Sequence, residues 1–438
     1  MFRVLFFSLA LFFSFFSLGQ KLMSGPMVGA PAMREVTVWL QTDIECNVQI
    51  QYFKVGSNFK MLSSVFKTSR ENAYTAKIAL DGLEPSQKYT YQVLINNIVQ
   101  KIDSLSFITA PLWTFGRAPV PVFSVAMGSC HFTNEAKYDR PGKPYGQDSS
   151  IFATISKKKP DLMLWLGDNV YLREVDYDSR SGIFARYTHT RQMPYMVDFI
   201  RKSHHIAIWD DHDYGPNDSD RSYYLKQHAR DAFKAFWPNP SFGLPDYPNE
   251  GVTSFYEFGD AEFYLLDNRW WRSPKDLNDK NAEMLGSKQI QWLIDALKTS
   301  KAAFKIICVG SQMINPNTKF ENFEAFETEK SHLFSLIEKH DIKGVLFVSG
   351  DRHFSEISKL ERVGKYPLYE ITTSPLTSSS INFEEKNKLR VEGSFINQQN
   401  FSVFYFSGAG KDRILTIKFF DKQGKELLTH IIQASDLK

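Results

Sequence analysis

Cysteine is scarce, with three in 438 residues, an odd number that cannot all pair, so no disulfide framework is expected. Cys308 falls inside an apolar run and reads as core. Cys46 lies in a small N-terminal region, and only Cys130 stands beside other residues of metal-binding type. Charge of one sign is also lacking. A formal net charge of +3 offers no basic cluster of the kind a nucleic-acid-binding surface needs. The run Lys157-Lys158-Lys159 reads as a solvated helix end, where cations suit the C-terminal dipole. Beyond the first residues there is no second long apolar run, so the mature chain is expected to carry no transmembrane anchor. Internal repeats are missing, and the Ser-rich turn from Thr377 to Ser380 is the main biased tract outside the N-terminus. No strand-Gly-x-Ser-x-Gly elbow surrounds Ser129, which excludes a serine-nucleophile triad there. The acidic stretch from Asp211 fails as an EF-hand. Gly stands where the third oxygen ligand belongs, Pro replaces the turn glycine, and no Glu closes the loop.

Residues 1–19 begin Met-Phe-Arg, run apolar from Val4 to Phe16 and end Ser17-Leu18-Gly19. That pattern predicts a secretory signal peptide and an exported protein, periplasmic or extracellular. No Cys stands near the cleavage point, which argues against a lipid anchor. The full chain of 438 residues is 43% hydrophobic, enough for a large core in two or three domains. From 25 to 110 the chain alternates as strands do, in Glu35 to Leu40, Cys46 to Tyr52, Ala76 to Leu80 and Tyr89 to Leu94. The segment Leu83 to Tyr91 resembles the turn before a late strand of fibronectin III-like sandwiches. An N-terminal all-β domain of fibronectin III or Ig-like type is therefore expected, followed by a Pro-rich linker at 111–121. From 122 to 438 strands alternate with amphipathic helices, expected near Ser150 to Lys158, Asp220 to Trp237, Ser287 to Leu297 and Phe323 to His340. Ser287 is the expected cap of the third, whose Ile290, Leu293, Ile294 and Leu297 share one face. This is a layered α/β domain.

Four apolar, strand-like runs in that domain each end on metal-binding residue types. Phe123 to Met127 precedes Gly128-Ser129-Cys130-His131, and Leu162 to Leu166 precedes Gly167-Asp168-Asn169-Val170-Tyr171. Ile206 to Trp209 precedes Asp210-Asp211-His212-Asp213, and Val345 to Val348 precedes Gly350-Asp351-Arg352-His353. Buried strands of an open α/β sheet present their ligand sites at these C-terminal ends. One such Asp or His is ordinarily a cap or turn residue; four sets in one chain point to a site. Two cations roughly 3.5 to 4 Å apart can share one carboxylate, activate a water and stabilise both the entering and the leaving oxygen of a phosphoryl transfer. Asp168 is the natural shared carboxylate, because it is short and Gly167 lets the backbone turn sharply beside it. Tyr171 is spaced to fold back to the same point, and a phenolate suits a hard trivalent iron. Cys130 would be deprotonated by such an ion.

The order Ser-Cys, Gly-Asp-x-x-Tyr, Trp-Asp-Asp-His-Asp-Tyr-Gly-x-Asn-Asp and Gly-Asp-x-His resembles the PhoD-type alkaline phosphatases. These are a branch of the calcineurin-like metallophosphoesterases related to purple acid phosphatases. Leu-Asp-Asn-Arg at 266–269, Leu-Gly-x-x-Gln-x-x-Trp-Leu at 285–293 and the strand pair from Arg413 to Ile432 extend the resemblance over nearly all of the mature chain. It implies a metallophosphoesterase-type sandwich of two sheets flanked by helices. It further implies that Asp168 bridges two metals, that Cys130, Tyr171 and His353 hold Fe3+, and that Asp211 and Asp351 serve a second, calcium-like site. Calcium prefers several oxygen ligands, which those residues supply. His212 would face the phosphate and donate to the developing charge or protonate the leaving oxygen.

Other positions carry two readings. Gln312 follows the strand Lys305 to Cys308 where related enzymes carry a metal-binding His; it is either an oxygen-donating substitute or a loop hydrogen-bonder. Arg269 is either a phosphate fork or the partner of Asp267 or a neighbouring acid. Asn217 is a candidate substrate-binding residue, although Asn217 and Asp218 are also turn-formers. His131, His204 and His205 are expected to pack or cap.

The function these residues imply is an exported, metal-dependent phosphatase in which a metal-bound hydroxide attacks phosphorus while Arg269 and His212 stabilise charge. A phosphodiesterase or phospholipase D-like activity on the same metals is the alternative, decided by the loops Leu172 to Ser181 and Tyr247 to Ser254. A catalytically inactive, calcium-stabilised binding protein is the remote one. Sequence alone leaves the oligomeric state open.

Overall fold

The computed structural model describes residues 21–113, 119–275, 277, 279–317, 319–381, 383 and 385–438. The expected signal peptide lies outside the described residues, as does part of the expected linker. No helix among the described residues is long and apolar enough to cross a membrane.

Two large sheets face each other. The first has nine strands, in the order Glu426–Gln433, Ile414–Asp421, Asn400–Ser407, Phe123–Gly128, Leu162–Leu166, His204–Ile208, Leu22–Gly29, Val36–Thr42 and Thr75–Leu80. Its centre is parallel: Val125 pairs with Leu162 and Leu164 with Ile206. The second has six strands, in the order Ser254–Phe258, Ala261–Leu265, Phe304–Val309, Val345–Ser349, Lys365–Thr372 and Glu356–Arg362, and is parallel through its middle.

Side-chain alternation explains the layering. Val125, Met127, Leu162, Leu164, Leu166, Ile206 and Ile208 share one core with Phe263, Leu265, Ile306, Cys308, Leu346 and Val348 of the second sheet. The residues between them, Ala126, Met163, Trp165, Ala207 and Trp209, point the other way. They meet Ile151, Phe152 and Ile155 of helix Ser150–Lys158, Phe184 and Tyr187 of helix Arg180–Gln192, and Phe233 and Phe236 of helix Lys226–Phe236. A strand has a side-chain period of two, so runs such as Leu-Met-Leu-Trp-Leu, apolar at every position, are buried on both faces. Helices Ser287–Thr299 and Glu327–Lys339 cover the second sheet through Leu293, Leu297, Leu333 and Ile337. The expected two-sheet arrangement flanked by helices is found.

The four expected N-terminal strands are present, at Val36–Thr42, Asn47–Lys54, Thr75–Leu80 and Lys88–Ile95. A further strand, Leu22–Gly29, was not legible in the sequence and changes how this region sits. It pairs parallel with His204–Ile208, so three N-terminal strands continue the nine-stranded sheet. A smaller sheet built on Asn47–Lys54 and Lys88–Ile95 closes over them around Val38, Leu40, Ile50, Tyr91 and Val93. Trp39 faces the opposite side, and its indole donates to the Ala235 carbonyl at 2.7 Å.

Ser287 does not cap its helix. It is the first helical residue, and the backbone N–H groups of Met284, Leu285 and Gly286 are satisfied by the Glu329 carboxylate at 2.6, 3.1 and 2.8 Å. A carboxylate from another helix thus fixes the turn that leads into this one, without capping its first turn.

Candidate metal centre

The loops after the central strands of both sheets meet at one seam. Gly350 packs so close that a Cβ there would lie 2.5 Å from the Leu166 carbonyl oxygen and 2.6 Å from Ser129 Cβ, so only glycine lets the second sheet's loop reach the first. Gly167 has φ +89°, and Asp168 follows with φ +51°. Cys130, Asp351 and His353 have positive φ too, at 59°, 67° and 56°. Four non-glycine residues in the left-handed region, all of metal-binding type and all at strand ends, are a concentration of local strain of the kind found at functional sites.

Ligand atoms of Cys130, Asp168 and His353 lie within 4.8 Å of one another. Tyr171 joins them: its hydroxyl donates to Asp168 Oδ2 at 3.2 Å and lies 3.1 Å from His353 Nε2. Serines steady this group. Ser374 Oγ donates to Cys130 Sγ at 3.1 Å, and Ser378 Oγ donates to the Tyr171 hydroxyl at 3.1 Å. A second group, Asp168, Asp211 and His212, is equally compact, so Asp168 belongs to both. Oxygens of Asp211, Asp218 and Glu321 make a third. Asp351 stands beside the centre, its carboxyl pushed up by burial and then by Asp210, Asp211 and Glu321 against the pull of Arg352.

The electrostatics call for cations. Burial, then the carboxylates of Asp211, Asp210 and Asp351 with Cys130, raise Asp168 well above the usual range. Burial and Asp351 push the Cys130 thiol up to about 12. Burial works against ionising Asp211, but His212 and Arg269 outweigh it and hold the carboxyl low. Oδ1 of Asp211 and Oδ2 of Asp210 are buried and accept no hydrogen bond. Negative groups crowded in this way with open acceptor atoms are costly alone and favourable around a divalent or trivalent ion. The donor set fits: thiol, phenol, imidazole and carboxylate on one side of Asp168, and on the other the Asp211 carboxylate with the His212 imidazole, next to the all-oxygen group of Asp211, Asp218 and Glu321.

His212 sits at the edge of the centre. Its side chain is 22% exposed, its ring lies 4.2 Å from that of Tyr171, and burial holds its pKa below the usual value despite Asp211. It borders a cavity of about 710 Å³ lined also by Tyr145, Tyr171, Arg173, Tyr177 and Asn217. Asn217 is exposed at that rim.

Arg269 does not face the cavity. Its guanidinium is fully buried; Nε donates to Asp210 Oδ1 at 2.6 Å, and its terminal nitrogens donate to Glu321 at 2.9 and 2.6 Å and to the Ser219 carbonyl at 3.2 Å. Of its two readings the ion pair is the one found, with Asp210 and Glu321 as partners. Asp267 accepts Arg269's own backbone N–H instead. No donor remains for a phosphate. Arg269→Met is therefore expected to act first on stability, since it leaves Asp210 buried without its cation and leaves Glu321 with Arg272 alone. A loss of about 3 to 5 kcal/mol in urea unfolding is expected, and an unchanged midpoint would show that the network is relieved in some other way.

Gln312 resolves toward its plainer reading. Its amide donates to Glu356 and Thr372, each at 2.9 Å, and its carbonyl accepts from Asn315 at 2.8 Å. His131 is buried between the Asn169 carbonyl and Tyr195, and His205 accepts from the Trp165 indole at 3.2 Å, so both pack as expected. The Leu-Asp-Asn-Arg and Gln-containing motifs prove to be one device. Gln289 donates to the Asp267 carbonyl at 2.7 Å and accepts its N–H at 2.9 Å, fixing the turn from which Asn268 donates to Asp210 at 2.8 Å.

Glu321, Asn268, Ser374, Ser378 and Tyr145 were missed. Glu321 comes from an irregular loop well past its strand, without an adjacent metal-type residue to flag it. Asn268 lay inside a quoted motif and carried the one available signal.

Comparison with known proteins bears on family and fold. The family described as PhoD-like phosphatase matches residues 129–414, and a domain of unknown function, DUF7800, matches residues 19–102. Alkaline phosphatase D of Bacillus subtilis (strain 168) is 23% identical over 336 residues, which cover 66% of this chain. The match spans about half of that relative's length, 54%. A solved structure of PhoD superposes with a TM-score of 0.72 at 18% identity, covering 94% of this chain and 93% of the other. The purple acid phosphatase PPD1 from yellow lupin (Lupinus luteus) seeds gives 0.65 at 12% identity, covering 93% and 74%. At these identities the superpositions speak to the fold.

Proposed function

The chain belongs to the PhoD-like phosphatase family, and on that premise we propose that it is an exported, metal-dependent phosphoric ester hydrolase of the alkaline phosphatase D type. The observation that carries this reading is the sharing of Asp168 between two ligand groups of different chemistry. Cys130, Tyr171 and His353 would hold Fe3+ with Asp168, and Asp211 and Asp351 would hold Ca2+; the third, all-oxygen group of Asp211, Asp218 and Glu321 allows the site to be larger than dinuclear. Cations bound there would supply an activated water and offset charge on the phosphoryl oxygens.

The chain's own residues do the rest. Asp168 fixes the spacing. His212, at the cavity edge, donates to the phosphoryl oxygens or to the leaving oxygen. Arg269, with its donors engaged by Asp210 and Glu321, acts by positioning those carboxylates. Asn217 at the rim is placed to meet a substituent of the ester. Residues 25–110 are taken as a fibronectin III or Ig-like sandwich and 122–438 as the catalytic unit; the N-terminal core around Ile50 and Val93 supports this, with one layer of the sandwich continuing the nine-stranded sheet. A phosphodiesterase activity is the second reading, favoured by a further cavity of about 780 Å³ on the other side of Tyr145.

The test is phosphate release from p-nitrophenyl phosphate and cleavage of bis(p-nitrophenyl) phosphate by purified protein, read with its visible absorption. Phenolate or thiolate on Fe3+ gives a charge-transfer band, whereas a filled d shell such as that of zinc gives none. Tyr171→Phe is expected to weaken or shift the band and lower activity with little change in fold stability. Cys130→Ser should alter it differently. A colourless, fully active protein would remove iron from the account.

A further inference from the structure

Tyr145 belongs to none of the motifs, yet the fold presents it at the centre. Its hydroxyl lies 3.0 Å from His353 Nδ1, the ring nitrogen opposite the one that meets Tyr171. The ring stands 4.8 Å from Phe132 and 5.7 Å from His353, centroid to centroid. The backbone is clamped on both sides. Asn134 exchanges two hydrogen bonds with Gly146, at 2.8 and 2.9 Å. Gln147 N–H donates to the Thr377 carbonyl at 2.6 Å, and Ser379 Oγ donates to the Tyr145 carbonyl at 2.8 Å. Earlier in the same loop, Asp139 binds Arg173 at 2.7 Å and Glu135 binds Arg186 at 2.9 Å. A tyrosine held this firmly while 40% exposed is a fixed wall of the site, not a loose surface ring.

That wall stands between two chambers. The one of about 710 Å³ sets Phe132, Tyr138, Tyr171 and Tyr177 around His212, with charged side chains, Arg140, Arg173 and Glu174 among them, also in its lining. The one of about 780 Å³ is richer in amides, with Gln147, Gln398 and Gln399 around His353, beside Lys422, Asp421 and Phe383. Lys143, Pro144 and Tyr145 line both.

We propose that Tyr145 is a positioning and specificity-determining residue: its hydroxyl fixes the imidazole of His353 through Nδ1, and its ring keeps the two substituents of a phosphate diester in separate chambers. When Nε2 serves as a ligand atom, Nδ1 carries the proton and donates outward, and the partner it finds there sets the tautomer and the ring's orientation. The Ser379 backbone also interacts with that ring, so the hydroxyl shares the task and its loss has a moderate effect. The wall matters only to a substrate with a second substituent, because a monoester occupies one chamber. This second role rests on the phosphoesterase reading; the first does not.

Two variants separate the roles. Tyr145→Phe removes the hydroxyl and keeps the wall, whereas Tyr145→Ala removes both. After timed exposure of the purified proteins to EDTA, elemental analysis should show both variants losing metal about tenfold faster than wild type. The ratio of KM for bis(p-nitrophenyl) phosphate to KM for p-nitrophenyl phosphate should be unchanged in Tyr145→Phe and shift by about tenfold in Tyr145→Ala. Wild-type metal retention in Tyr145→Phe overturns the positioning role. An unchanged ratio in Tyr145→Ala overturns the partition. A wild type that holds metal but cleaves neither ester leaves the positioning role to the EDTA measurement and overturns the partition together with the phosphoesterase reading.

Discussion

Asp168→Ala is expected to abolish ester hydrolysis and to lower the content of both metals. Asp168 is the one residue common to the thiol-and-imidazole group and to the group formed with Asp211 and His212. Its Oδ2 accepts from Tyr171 at 3.2 Å and from Cys130 at 3.6 Å, while Oδ1 accepts the His212 backbone N–H at 3.4 Å. Removing it opens both groups at once and leaves Asp211 shared only with the all-oxygen group of Asp218 and Glu321, away from Cys130 and His353. Asp168→Asn keeps the shape and serves as the fold control, with near-native thermal unfolding expected. Near-normal turnover or a full metal load in Asp168→Ala would show that the bridge is elsewhere.

His212→Ala is expected to lower turnover by about two to four powers of ten while both metals stay bound, as for a group that acts on the transition state. The ring opens to the cavity and lies tilted against Tyr171, which favours that role. A ring nitrogen nevertheless lies within 4.8 Å of oxygens of Asp168 and Asp211, close enough for a ligand. Elemental analysis of the variant decides: metal loss would move His212 into the coordination sphere. The calcium assignment is separable. Chelation that removes calcium should stop activity, and added calcium should restore it; failure to restore would count against the oxygen-rich site.

The strands that carry the centre were legible because each is a short apolar run ending on a polar cluster, and burial on both faces leaves no alternation to confuse them. Asp168, Cys130, Tyr171, Asp211 and His353 could be named because each lies within five residues of a strand end. Glu321 could not, since the loop that brings it in has no periodic signal. Arg269 was visible but its partner was not: sequence marks a guanidinium, whereas its orientation depends on Asp210 and Glu321 converging from two sheets. The strand Leu22–Gly29 was hidden for a similar reason. Its partner His204–Ile208 is distant in the chain, and strand pairing leaves no local trace. Tyr145 escaped notice because a lone tyrosine in a Pro- and Gly-containing loop looks like any surface residue.

The most direct test of the central claim is metal content per chain measured on the same purified preparation as the rate of p-nitrophenyl phosphate hydrolysis. The account predicts at least two cations per chain, with activity falling as either is withdrawn. Undiminished hydrolysis by protein holding one cation or fewer per chain would contradict it.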